Sequence, residues 1–210
     1  MLSRLAVALV HHPVLNRRNE VVASAVTNLD LHDIARTCRT FGVGCFFVIT
    51  PVKEQQKVVE QIVEHWLHGY GSTHNPDRCS AFQLVQTVTD LETAREQWSE
   101  KHSRPARIII TSAKSPHGLT GQDCRLLLDE APLLLVLGTG SGLAPEITGQ
   151  NYEAFQSILG VADYNHLPVR AAAAIILDRI FTGNSNHNPP RTCAGSKTIC
   201  PKIGIEENKP

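Results

Sequence analysis

The chain has 210 residues, 42% of them hydrophobic, with Lys plus Arg at 20 against Asp plus Glu at 20. That apolar fraction suffices for a packed core, and the zero net charge excludes nucleic-acid binding through a global positive field, so any such contact needs a local basic patch. No stretch approaches the ~20 apolar residues of a membrane span. Six cysteines (Cys38, Cys45, Cys79, Cys124, Cys193 and Cys200) form no C-x-x-C pair, so the expectation is a soluble, cytoplasmic protein with no metal site.

In chain order, Leu5-Ala6-Val7-Ala8-Leu9-Val10 predicts a first strand. It is too brief for a signal-peptide core, has no small-residue cleavage site and runs into His11-His12-Pro13. A polar loop is expected over 11–20 and a short strand over 21–27. Asn28 to Asp30 offer caps for a helix over 31–41, with Ile34, Ala35, Cys38 and Phe41 on one side and Gly42 and Gly44 ending it. Residues 45–50 predict a buried strand. Pro51 then opens a helix with the stripe Val58, Val59, Ile62, Val63, Trp66 and Leu67. A loop over 69–80 leads to a strand over 82–88, then to a helix over 90–101 with Leu91, Ala94 and Trp98 inward.

A strand over 108–111 and a helix over 122–129 precede the apolar run Leu133-Leu134-Leu135-Val136-Leu137. A further short strand or bend is expected over 156–161, and an alanine-rich helix over 168–181. Strands alternating with helices imply a mostly parallel sheet in an α/β domain. From Gly183 the composition turns to Asn, Pro, Ser and Lys. A domain over 1–182 and a flexible tail over 183–210 are therefore expected, with Cys193 and Cys200 in the tail.

The most informative stretch is the Leu133 run, which continues into Gly138-Thr139-Gly140-Ser141-Gly142-Leu143. An unbroken apolar run suits a strand covered on both faces, and the glycines let backbone approach a ligand at the carboxyl edge of the sheet. A dinucleotide fingerprint fails because Leu143 stands at its third glycine, and a P-loop fails because no lysine follows Gly142. The turn also looks like the first motif of Rossmann-like methyltransferases. Val136 stands where those carry an acidic residue, and the turn comes late in the chain.

Three patches, in order, resemble the SPOUT superfamily of knotted α/β RNA methyltransferases. Asp30-Leu31-His32-Asp33-Ile34-Ala35-Arg36-Thr37, running to Phe41-Gly42-Val43, is similar to its N-x-G-x-x-x-R-T…F-G-V, with Asp30 replacing the asparagine. Leu135-Val136-Leu137-Gly138-Thr139…Gly142-Leu143-Ala144-Pro145-Glu146-Ile147 is similar to L-V-L-G-T-E…G-L-S-P-E. Tyr164-Asn165-His166-Leu167-Pro168-Val169-Arg170-Ala171-Ala172-Ala173-Ala174-Ile175-Ile176-Leu177 is similar to N-x-S-V-A-A-A-I-L-L. The likeness is to a small bacterial branch between the ribose (SpoU-like) and the tRNA (guanine-N1) methyltransferases.

The resemblance implies a C-terminal deep trefoil knot, S-adenosylmethionine as cofactor and a homodimer. Its cofactor residues here would be Leu137, Gly138, Thr139, Gly140 and Gly142, with Thr111 and Ser112 at the same edge. Ile158, Leu159, Gly160, Asn165, Leu167 and Ala171 would complete the pocket. Methyl transfer from a sulfonium is an in-line displacement that needs alignment, and a base if the acceptor carries a proton. Arg36 falls on the motif arginine and would handle the acceptor. Arg170 would bind RNA or pair with a carboxylate near a helix start. Asp163 and His166 are candidate bases, or loop and capping residues. Gly140 stands where the ribose-methylating motif has glutamate, so a base nitrogen of tRNA or rRNA is at least as good an acceptor as a ribose hydroxyl. RNA contact is expected through Arg17, Arg18, Arg36 and Arg39, and dimerisation through the 168–181 helix, which is apolar almost all round. A knotted module that binds RNA without turnover is the competing reading.

Overall fold

The computed structural model describes residues 3–161 and 165–182. Six strands, β1 (Leu5–Val10), β4 (Cys45–Ile49), β5 (Val85–Val88), β6 (Arg107–Thr111), β7 (Leu133–Gly138) and β8 (Glu153–Phe155), form one sheet in the order β5-β4-β1-β7-β6-β8. Every pairing in it is parallel. The sheet is buried on both faces, which is why its central strands read as apolar runs without alternation. In β1 all six side chains are buried. Leu5, Val7 and Leu9 join one core layer, Ala6, Ala8 and Val10 the other.

The first layer is closed by α1 (Asn28–Thr40), α4 (Pro76–Phe82), α6 (Gly121–Glu130) and α8 (Val169–Thr182), with α2 (Lys53–Leu67) at its margin. α5 (Leu91–His102) and α7 (Pro145–Thr148) close the second, through Ala94, Trp98 and Ile147. Thr27 caps α1: its hydroxyl accepts from the Asp30 amide at 3.1 Å and donates to the Asp30 carboxylate at 2.6 Å. The described cysteines behave as small hydrophobes. Burial pushes the Cys45 and Cys124 thiols up to about 12 and raises Cys38 as well.

Several expectations are corrected. Residues 69–80 are not a plain loop: α3 (Tyr70–His74) and α4 occupy most of them. Asn75 accepts a hydrogen bond from the Arg78 amide and Pro76 fills the first helical turn, a start signal hidden in a Gly/Ser/His/Asn-rich stretch. α4 also claims Phe82, so β5 begins three residues later than expected. The expected strand over 21–27 shrinks to β3 (Val21–Val22), paired antiparallel with β2 (Val14–Leu15) inside the expected polar loop. The last strand lies at Glu153–Phe155, not over 156–161, because pairing with the outer edge of β6 decides its place.

The segment joining β6 to α6 lies across the chain as it leaves β8. The Leu119 amide donates to the Ala154 carbonyl (2.7 Å), the Gln156 amide to Leu119 (2.8 Å) and the Ser157 amide to Ser115 (2.9 Å). Gly118 is the point of closest passage, since a Cβ there would sit 2.6 Å from the Phe155 carbonyl carbon. Beyond this strap the chain returns as α8, between α1 and α6. At Gly121 the backbones of α6 and α8 meet, with Arg179 where a Cβ would go.

Candidate active site

Loops leave the carboxyl ends of three neighbouring strands, β7, β6 and β8, at one edge of the sheet, where open α/β folds bind small molecules. The first is the glycine turn. Gly138 ends β7 opposite Val10, and the Thr139 hydroxyl donates to the Val10 carbonyl at 2.9 Å. Gly140 and Gly142 have φ of +60° and +114°, a region that side chains rarely adopt. Open space lies above Gly142, whereas a Cβ on Gly140 would meet the Leu15 carbonyl at 2.7 Å. Gly140 therefore serves packing against the β2–β3 hairpin, and an aspartate there would strain the turn itself.

That hairpin straps the turn down. The Ser141 amide donates to Leu15 (2.8 Å), Leu15 to Gly142 (2.9 Å) and Ala144 to Pro13 (3.2 Å). Deeper, His11 is wholly buried, with Nδ1 3.1 Å from the Ser24 hydroxyl, which in turn contacts the Thr139 hydroxyl. Burial holds the His11 imidazole down to about 4, against the opposing pull of Asp30 and of the Ala25 backbone. Sequence reasoning missed His11 and Ser24; the unusual His-His-Pro after an apolar strand was the available signal.

On the neighbouring strand the Thr111 hydroxyl is committed to the Val136 carbonyl at 3.0 Å, and Ser112 accepts from the Lys114 amide. Leu137 is buried in the core, so only its backbone faces the edge. After β8, Ile158 is part-buried, Leu159 and Gly160 are exposed, and the Asn165 side-chain amide donates to the Ile158 carbonyl at 3.0 Å. Leu167 and His166 lie exposed before α8, and Ala171 is half-buried in its first turn. Asp163 lies outside the described residues, as do Cys193 and Cys200.

Arg170 is not a free cation. It lies 3.3 Å from Asp30 and 3.4 Å from Asp33, tying the start of α8 to the start of α1. Asp30, the residue in place of the motif asparagine, is mostly buried there. Arg36 stands exposed further along α1 and Arg39 beyond it, while Arg17 and Arg18 are exposed at the hairpin tip. Among the described residues no group of three or more His, Cys, Asp or Glu could hold a metal ion, and no helix is long and apolar enough to cross a membrane.

A family model described as SAM-dependent RNA methyltransferase matches residues 4–182. A tRNA (guanine-N(1)-)-methyltransferase of Nitratidesulfovibrio vulgaris is 41% identical over 174 residues, which is 83% of this chain and 41% of that protein. This chain thus spans about two-fifths of the length of the curated relatives of that name. An uncharacterised protein of Aquifex aeolicus is 31% identical over 181 residues, 85% of this chain and 88% of that one. In structure, the SpoU methyltransferase AviRb of Streptomyces viridochromogenes, solved with AdoMet, aligns with a TM-score of 0.53 at 18% identity, covering 86% of this chain and 58% of that one. At that identity the likeness speaks to the fold.

Proposed function

The chain belongs to the SAM-dependent RNA methyltransferase family, and from that premise we propose that it methylates a guanine base nitrogen of tRNA with S-adenosylmethionine held at the β7–β6–β8 edge. The observation that carries the acceptor is the match, across 83% of the chain, to relatives named for guanine-N1 transfer to tRNA. Gly140 in place of the glutamate of ribose-methylating enzymes supports it. An acceptor nitrogen that carries a proton needs a base. The Asp30–Arg170–Asp33 cluster and His166 are the groups at the start of α8 that could supply it.

In this reading the cofactor lies against the open side of the turn at Gly138, Thr139 and Gly142, between Thr111–Ser112 and Ile158, Leu159, Gly160, Asn165 and Leu167. The strap over 115–119 is the loop of the trefoil knot. Gly140 shapes the turn from beneath. The site lies in the cytoplasm, where its RNA is.

A second copy completes the assembly. α8 buries Ala173, Ile176, Leu177 and Ile180 within its own chain but leaves Val169, Ala171, Ala172, Ala174 and Ile175 half-covered. Leu29, Leu159 and Leu167 stand exposed nearby in sequence to both helix starts. Apolar surface of this kind is covered by a partner, here across a two-fold axis that brings Arg36 of one subunit toward the partner's cofactor. Exposed Arg17, Arg18, Arg36 and Arg39 would then meet RNA phosphates.

The test is methyl transfer from labelled S-adenosylmethionine to tRNA from cells lacking the gene, followed by nucleoside mass spectrometry. Methylated guanine is expected. Label in ribose, or in rRNA alone, would overturn the acceptor. Light scattering that gave a stable cofactor-binding monomer would overturn the dimer.

A further inference from the structure

His11 and Ser24 stand at the two ends of the β2–β3 hairpin and close it. The Ser24 amide donates to the His11 carbonyl at 2.8 Å, and His11 Nδ1 lies 3.1 Å from Ser24 Oγ. Ser24 Oγ is 2.5 Å from Thr139 Oγ1, which is 2.9 Å from the Val10 carbonyl. A line of polar groups thus runs from a buried imidazole to the first strand's backbone by way of the glycine turn. Each hydroxyl in it has one proton to give.

The Ser24 hydroxyl also lies within 3.4 Å of the His11 carbonyl, a longer contact than the others, so the short contacts leave two directions open to those protons. Running outward, His11 Nδ1–H donates to Ser24, Ser24 to Thr139 and Thr139 to Val10, so every short contact is used. His11 Nε2 is then a bare acceptor. Running inward, Thr139 donates to Ser24 and Ser24 to Nδ1; the Val10 carbonyl loses the hydroxyl and Nε2 carries a buried proton. Nε2 has no partner in the interior, and an orphaned N–H is the rarer defect. The outward direction wins.

We infer that His11, held as the Nδ1–H tautomer, is a positioning residue that fixes Thr139 in the glycine turn through the Ser24 hydroxyl. The inference rests on the reading that residues 138–142 bind the cofactor. The hairpin grips the turn at two levels: Leu15 holds Ser141 and Gly142 by backbone, and the His11–Ser24 pair holds Thr139 by side chain. Without the lower grip Thr139 is held by its bond to the Val10 carbonyl alone, and the cofactor must order what was more fully ordered.

The experiment is calorimetry of the full chain with S-adenosylhomocysteine, paired with nitrogen NMR of its histidines. Ser24→Ala is expected to weaken binding about fivefold, the worth of one hydrogen bond, while circular dichroism is unchanged. Ser24→Thr keeps the hydroxyl and should restore affinity. His11→Leu should match Ser24→Ala, and the double variant should be no weaker than either, since the two act in series. NMR should show a protonated Nδ1 and an unprotonated Nε2. Binding by Ser24→Ala equal to the unaltered chain, or an Nε2–H tautomer, overturns the positioning role and leaves the cofactor site standing. No binding by the unaltered chain removes the cofactor site, and this inference with it.

Discussion

His11→Asn changes the pH dependence of stability in a direction the structure fixes. Asparagine can still donate to Ser24 from the place of Nδ1, but it does not titrate. In the unaltered protein the imidazole moves from 6.5 in the unfolded chain to about 4 when buried. Its folded value is depressed, so between those two values the unfolded state binds more protons, and stability falls as pH falls. Linkage puts the loss at about 2 kcal/mol between pH 7 and pH 5, approaching about 3 kcal/mol near pH 4. Asp30 opposes the shift, and His32 and His102, also lowered by burial, are common to both proteins and cancel in the comparison. Urea denaturation of both proteins from pH 8 to pH 4.5 measures the difference. The gap between them should be constant above about pH 7.5 and move by about 2 kcal/mol in favour of the variant by pH 5. Parallel curves would refute the burial of a neutral imidazole at this position.

Two further perturbations probe the frame around the site. Gly118→Ala forces a Cβ against the backbone of Phe155 and Gln156, neither of which can yield, so the strap lifts and its hydrogen bonds to Ala154 and Gln156 weaken. A loss of about 2–4 kcal/mol in denaturant unfolding is expected, with weaker cofactor binding; unchanged stability would mean that the strap is loose. Arg170→Gln leaves Asp30 mostly buried without its cation. Because Arg170 is over a third exposed, the stability cost should be only about 1 kcal/mol. Methyl transfer should fall far more than S-adenosylhomocysteine affinity, and equal losses in both would deny Arg170 a part on the acceptor side.

How much was legible depended on what each segment answers to. β1, β4 and β7 were readable because burial on both faces writes itself as an apolar run. α1, α2 and α5 were readable because one buried stripe imposes a 3.6-residue period, and α8 because its run is long, alanine-rich and apolar almost all round. The glycine turn was readable as a turn. Its division of labour was not: that Gly140 makes room for Leu15 while Gly142 faces open space follows from where the hairpin lies. Nor could Arg170 be assigned between RNA and a carboxylate until α8 was seen to start beside Asp30 and Asp33.

Local patterning alone therefore determined the parallel α/β class and the order of the major elements. These depend on burial within each segment, and each segment carries that record itself. Tertiary structure alone decided β2, β3 and β8, which are two or three residues long: β8 pairs with β6 far back in the chain, and the short β2–β3 hairpin is held against the glycine turn. It also decided the strap that Gly118 draws over β8, and the burial of His11, a polar residue after a strand that any local reading sends to solvent. A histidine goes inside only where Ser24 and Thr139, 13 and 115 residues apart from His11 and Ser24 in turn, arrive together to meet its ring. No window of sequence contains that meeting.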